Sequence, residues 1–233
     1  MTQPSVTPIT PVSARVVPMG RDTTTPITAD IFHDLTCPWC RIGIAQFRRA
    51  LDGWDGPPVE FHWHPFLLDP DAPREGQPFR AALEAKMGQD PAPMLERVSE
   101  AGAAAGVEFA WDRVERLPST VAAHVLYAVL PPERRTGLID RLHRAYFSEG
   151  RDIGDTDTLL AIAGDYGMDR EMTAQALGEE QLHEAIRSEA RQAAELGISG
   201  VPLVIFDNRV AVSGAQSAEQ FRAALDEAFR TRE

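Results

Sequence analysis

Over residues 27–35 the apolar positions Ile27, Ala29, Ile31, Phe32 and Leu35 are nearly continuous, a pattern that predicts a strand covered on both faces. From 38 to 52 the period becomes helical: Ile42, Ile44, Phe47, Ala50 and Leu51 make one stripe, and Gly53 closes it. A turn at 54–58 (Trp-Asp-Gly-Pro-Pro) leads to an alternating second strand over 59–63, and residues 64–73 leave it as a Pro-rich connection. From about 77 to 196 the period is helical throughout. Helices are predicted over 78–87, from a cap at Asp90 to 105, and after Ser119 with Val121, Ala122, Val125, Leu126 and Val129 on one side. Further stripes cover 138–146, a start at Asp155 or Thr156, 169–177, and 182–193 closed by Gly197. Residues 203–206 and 210–213 are strands joined by a turn at 207–209. Ser217 and Gln220 form a capping box for a last helix that buries Phe221, Ala224, Leu225, Ala228 and Phe229.

The predicted order is therefore strand, helix, strand, long helical insertion, strand, strand, helix. This divides the chain into a disordered leader (1–26), an α/β domain made from 27–76 together with 197–233, and an inserted helical domain (77–196). The leader is rich in Thr, Pro, Ser and Val and lacks the basic and apolar regions of a signal peptide. At 233 residues the chain can hold such a domain and its insertion. A net charge of −12 argues against nucleic acid and anionic membrane as partners. No apolar run approaches the roughly 20 residues of a membrane span. Of the 23 basic residues only Lys86 is a lysine.

The chemistry concentrates at Thr36-Cys37-Pro38-Trp39-Cys40, which holds both cysteines of the chain. The first amides of a helix are unpaired and carry partial positive charge, so a thiol there is favoured as the nucleophilic thiolate. Pro38 suits the first helical position, where a missing N–H costs nothing. Cys40 lies one turn inside, close enough to bridge to Cys37. Cys37 is expected to be exposed and to attack; Cys40 is expected to be buried and to resolve the mixed disulfide. Beside the pair, His33 is a candidate proton shuttle, charge partner or strand cap, and Asp34 a candidate acid or plain hydrogen-bonding residue. A zinc site needs further ligands, and His62 with His64 is the one close histidine pair available, pointing one way from its strand. A single Cys pair with no structural disulfides suits a reducing, cytoplasmic compartment.

Four segments together resemble FrnE-type members of the DsbA family: 30–43 (DIFHDLTCPWCRIG), 63–73 (WHPFLLDPDAP), Gly200-Val201-Pro202, and 212–216 (VSGAQ). They occur in the expected order and cover nearly all of the chain but the leader. The resemblance implies a thioredoxin-like α/β fold with a helical insertion, and a cis Val201–Pro202 peptide facing the cysteines. Two positions depart from the family pattern. Arg41 stands where an aromatic residue usually follows the second cysteine, and Ile44 where a lysine usually follows Ile-Gly. Arg41 either adds positive charge beside the thiols or points to solvent.

The expected function is thiol–disulfide exchange through Cys37 and Cys40 with Pro202. Pro38, Trp39, Val201, His33, Asp34 and Arg41 shape or tune the site. The expected substrates are protein or low-molecular-weight disulfides and thiols, with a thiol recycling partner. Neither metal nor organic cofactor is expected, since the electrons reside in the Cys37–Cys40 pair. Two other classes stay open: an enzyme of glutathione-transferase or hydroxychromene-carboxylate-isomerase type on the same scaffold, which typically has Ser where Cys37 stands, and a non-enzymatic zinc- or partner-binding module.

Overall fold

A computed structural model describes residues 23–232, so all but the last four positions of the leader lie outside the described residues. The fold is mixed α/β of thioredoxin type with a helical insertion. Its four-stranded sheet has the order β2-β1-β5-β6, with β1 at Ile27–His33, β2 at Val59–Pro65, β5 at Leu203–Phe206 and β6 at Val210–Ser213. β1 and β2 run parallel, Ile27 opposite Val59 and His33 opposite Pro65. β5 and β6 are antiparallel additions on the other side of β1. The parallel pair needs a crossover, supplied by α1 at Pro38–Ala50. The β5–β6 hairpin turns through Asp207 and Asn208, both at positive φ, which Asn and Asp tolerate better than most residues.

Burial along β1 alternates strictly, so the strand is not sealed on both faces as its apolar run suggests. Ile27, Ala29, Ile31 and His33 face the core. The opposite face carries Asp30 and Phe32, joined from β2 by His62 and His64. His64 stacks on Phe32 at 4.7 Å and bonds Asp30 at 2.9 Å and Glu189 at 3.0 Å. Glu189 belongs to α8 (Glu180–Glu195), so a helix of the insertion partly covers this face with polar contacts. Asp30 also lies 3.4 Å from His62, and both histidines are engaged with carboxylates on this face.

On the core face, Phe47 of α1 meets Phe61, Phe206 and Phe221 at ring distances of 5.3–5.4 Å. Phe221 lies on α9 (Ala218–Arg230), whose start carries the capping box of Ser217 and Gln220. Arg222 on α9 donates to the carbonyls of Ala50 and Asp52, both at 2.7 Å, and so fixes the C-terminal end of α1. The helix that presents the cysteines is thereby anchored at its far end.

The insertion contains α2 (Phe79–Met87), α3 (Ala92–Ala104), α4 (Val121–Ala128), α5 (Pro132–Phe147), α6 (Thr156–Asp165), α7 (Arg170–Gly178) and α8. It is not helical throughout. Gln77–Pro78 (β3) and Arg116–Leu117 (β4) pair as a two-stranded ribbon, which two-residue strands 40 positions apart give no periodicity to reveal. Ser119 is not the cap of α4; that position belongs to Thr120, without a side-chain hydrogen bond. Asp155 and Asp169 do cap α6 and α7, accepting from Thr158 and Met172. Among the described residues no helix is long and apolar enough to cross a membrane.

Candidate active site

β1 ends at His33, and the chain turns through Asp34, Leu35 and Thr36 before α1 begins. The turn is built by the Asp34 carboxylate. It accepts from the Thr36 amide at 2.8 Å, the Thr36 hydroxyl at 2.9 Å and the Leu68 amide at 2.8 Å. Asp34 thus ties the segment before the cysteines to the connection after β2. Burial raises its pKa, and these hydrogen bonds oppose the rise.

Cys37 is the N-cap residue of α1, with extended φ and ψ, and Pro38 opens the helix. Its Sγ lies 3.7 Å from the carbonyl oxygen of Val201. The Val201–Pro202 peptide is cis. Cys40 sits one turn in, fully buried, its amide donating to the Cys37 carbonyl at 3.1 Å. Both cysteines are free thiols. Burial, then the Cys37 hydrogen bond and charge, push the Cys40 thiol well up.

One expectation is corrected here. Cys37 is not exposed: only 4% of it is accessible, because the Val201–Pro202 segment, 164 positions away in sequence, closes over the helix start. Trp39, at 40% exposure, is the open surface of the motif instead. Val201 is half-buried and Pro202 buried.

Gly43 makes this close approach possible. A Cβ there would stand 2.8 Å from Cγ of Pro202 and 3.4 Å from the Ala215 backbone. Gly43→Ala is therefore expected to displace the Pro202 loop and destabilise the protein by about 1–3 kcal/mol, the usual cost of overpacking. Urea denaturation checks this; an unchanged midpoint would show that the loop yields freely.

His33 is the last residue of β1, but its ring turns into the core rather than to solvent. It is fully buried among Trp63 (5.2 Å), His124 (5.4 Å), Tyr127 (5.6 Å) and His143 (6.3 Å). Neither of its ring nitrogens has a hydrogen-bond partner among the described residues. His124 and His143 are brought to it from α4 and α5, far from the cysteine motif in sequence. The available signal was their position on the apolar stripes of α4 and α5, beside Val125 and Leu142. Burial drives all three imidazoles down, helped by their mutual repulsion, His124 to about 3.

Arg41 points inward to the insertion. It donates to the Glu108 carbonyl at 2.6 Å and the Ser148 hydroxyl at 2.8 Å, and lies over the Phe109 ring at 5.1 Å. Burial lowers its pKa to about 10, with Glu108 opposing and Arg144 adding to the fall, so it remains a cation at neutral pH. It takes up the aromatic contacts that an aromatic residue at this position could supply. The described residues contain no group of three or more His, Cys, Asp and Glu placed to hold a metal ion.

Comparison with known proteins agrees with this architecture. An uncharacterised Bacillus subtilis protein, YwbO, is 28% identical over 201 residues, 84% of this chain and 94% of that one. The crystal structure of a probable DsbA oxidoreductase from Streptomyces coelicolor superimposes with a TM-score of 0.80 at 32% identity, over 89% of this chain and 92% of the other. The cytosolic disulfide reductase DsbM from Pseudomonas aeruginosa, solved with GSH, superimposes with a TM-score of 0.62 at 21% identity over 87% and 99% of the two chains, a likeness of fold. The model of the DSBA-like thioredoxin domain matches residues 28–226, and the chain belongs to that family.

Proposed function

We propose that the chain is a dithiol–disulfide oxidoreductase whose electrons are held by Cys37 and Cys40, with no cofactor. The observation that carries this reading is the placement of Cys37. It caps a helix N-terminus beside the Val201 carbonyl, with Cys40 buried one turn behind it. In the reducing direction the Cys37 thiolate attacks a substrate disulfide; a Cys37–substrate disulfide forms and the first substrate thiolate leaves. Cys40 then loses its proton and attacks Cys37 Sγ, closing the Cys37–Cys40 disulfide and expelling the second thiolate. Two electrons pass from the pair to the substrate. In the oxidising direction the same steps run backwards.

The electrostatics suit this order. Cys40 is held protonated partly by the hydrogen bond and charge of Cys37. In the mixed disulfide Cys37 has no charge, so that contribution disappears and Cys40 becomes easier to ionise when its attack is needed. Trp39 offers a surface for substrate, and an extended substrate segment pairs with the backbone of Val201. Asp34 and Thr36 hold the turn, and the half-buried guanidinium of Arg41 adds positive charge one residue beyond Cys40.

The substrates are disulfides and thiols of proteins or small molecules; the structurally similar DsbM was solved with GSH, and its being a cytosolic disulfide reductase supports a cytoplasmic placement here. The four shared segments support the FrnE-like branch. A recycling thiol must restore the pair after each turnover. The test is a Cys40→Ser variant incubated with a disulfide substrate. The expected result is a covalent Cys37–substrate adduct, seen as a mass increase that dithiothreitol removes. No adduct at Cys37 would overturn the proposal.

A further inference from the structure

A cavity of about 350 Å³ opens between α1, α5 and the turn after α3. Its charge is unusual for so acidic a protein. Arg41, Arg48 and Arg49 enter from α1 and Arg144 from α5; the single carboxylate in the lining is Asp140. Asp140 is engaged with Arg48. Arg49 donates to the Ala104 carbonyl at 3.2 Å, and Arg144 lies 3.5 Å from Glu149, which Arg141 shares at 3.0 Å. Arg41 is held by a carbonyl and a hydroxyl, as described above. Counting the lining residues alone, four arginines stand against one aspartate, with Glu149 outside the lining engaging Arg144. The lining also includes His143, which is 2% exposed and whose Nε2 has no hydrogen-bond partner among the described residues.

We infer that this cavity binds a small oxyanion of two or more negative charges, phosphate- or carboxylate-based, between Arg41, Arg49 and Arg144. Guanidinium forks match the oxygens of either group bidentately. The volume lies within the range of small-ligand pockets. A net charge of −12 repels anions at long range, so the binding must come from this local cluster rather than from the field of the whole protein. Partial burial strengthens it: Arg41 is half-buried, where charge–charge attraction is screened less than in bulk water, so a bound anion offsets both its desolvation and the repulsion of Arg144 by direct attraction. The site abuts the helix that presents Cys37 and Cys40 and shares Arg41 with the redox proposal, but binding itself requires no sulfur chemistry.

The test is calorimetric titration of the full chain at low ionic strength with inorganic pyrophosphate and, separately, citrate. The expected result is saturable one-to-one binding of at least one of them, with a matching rise in melting temperature as ligand is added. Arg49→Ala and Arg144→Ala should each weaken the dissociation constant about tenfold or more, the scale of a lost charged hydrogen bond. Arg170→Ala, on the distant helix α7, should leave it unchanged. Pyrophosphate binding without citrate binding assigns a phosphate ligand, and the reverse a carboxylate. No saturable heat with either probe, or equal affinity in wild type and both cavity variants, would overturn the inference. The same titration repeated on a Cys37→Ser, Cys40→Ser double variant keeps the result independent of redox activity.

Discussion

Cys37→Ser is expected to reduce thiol–disulfide exchange by about a thousandfold or more, the scale of removing a covalent nucleophile from an enzyme. The reason is that Cys40 cannot take over. It has no accessible surface, and burial holds its thiol protonated well beyond neutral pH. A serine hydroxyl at 37 keeps the helix cap and the neighbouring Val201 carbonyl, so the fold should survive, and the loss is then one of chemistry. Insulin or glutathione-disulfide reduction assays measure it. The same variant separates the alternative chemistry on this scaffold: an isomerase of the type that uses serine at this position would retain activity after the substitution. Retained activity would therefore redirect the assignment rather than merely weaken it.

Acidification should unfold the protein between about pH 6.5 and 4, through the three buried histidines. His33, His124 and His143 are neutral when folded, because burial disfavours their charged form. In the unfolded chain they titrate near 6.5. Below that pH the unfolded state binds more protons than the folded one, so stability falls as pH falls. The loss continues towards the depressed folded values, about 3 for His124. Each such group costs up to about 1.4 kcal/mol per pH unit, and three together about 4. A domain stability of roughly 5–15 kcal/mol is used up within a few pH units.

Within this window one group, Asp34, acts in the opposite sense, and it does not outweigh the three. Asp34 has a raised folded pKa, so its contribution falls as pH rises above the usual carboxylate value; it opposes part of the acid loss. His64 is raised mainly by Glu189, with Asp30 helping against desolvation. Its stabilisation is fully present below 6.5 and is lost as pH rises through its folded value, so it adds no slope between 6.5 and 4 but opposes the acid loss over the part of the 7.5-to-5 comparison that lies above 6.5. Urea denaturation at pH 7.5 and pH 5 tests the net effect. The midpoint should drop sharply in wild type and less in a His124→Phe variant. A midpoint that does not move between these pH values would show that the cluster is solvated or charged in the folded state.

Local chemistry made the redox motif legible. A helix start, a proline at its first position and two cysteines one turn apart all lie within five residues, and the structure places them as a cap and a buried partner. The succession of strands and helices along the chain followed from the change of period at 36–38 and at 203–213. The capping box of Ser217 and Gln220 was legible for the same reason, since both partners sit within one turn. What depended on distant segments was not legible. Cys37 is covered by Val201, and its low accessibility is a property of that packing, not of its own neighbourhood. His33 is surrounded by residues of α4 and α5 that its position beside the cysteines does not suggest. Arg41 found carbonyl, hydroxyl and aromatic partners on the insertion, which a departure from a family pattern can flag but not locate. The ribbon of β3 and β4 joins strands too short to carry a period.

The central claim is that Cys37 and Cys40 exchange electrons as one pair, and the most direct test is a redox equilibrium. The protein is equilibrated in glutathione buffers of graded ratio, quenched with acid and alkylated, and the fraction of the intramolecular disulfide is read by mass. The account predicts a single two-electron transition ending in a Cys37–Cys40 disulfide, with a midpoint between about −270 and −120 mV, the span of thioredoxin-fold reductases and oxidants. A midpoint near the lower end marks a reductase, and one near the upper end a donor or shuffler of disulfides. Two thiols that remain free across the whole range, or that oxidise only between molecules, would contradict the account.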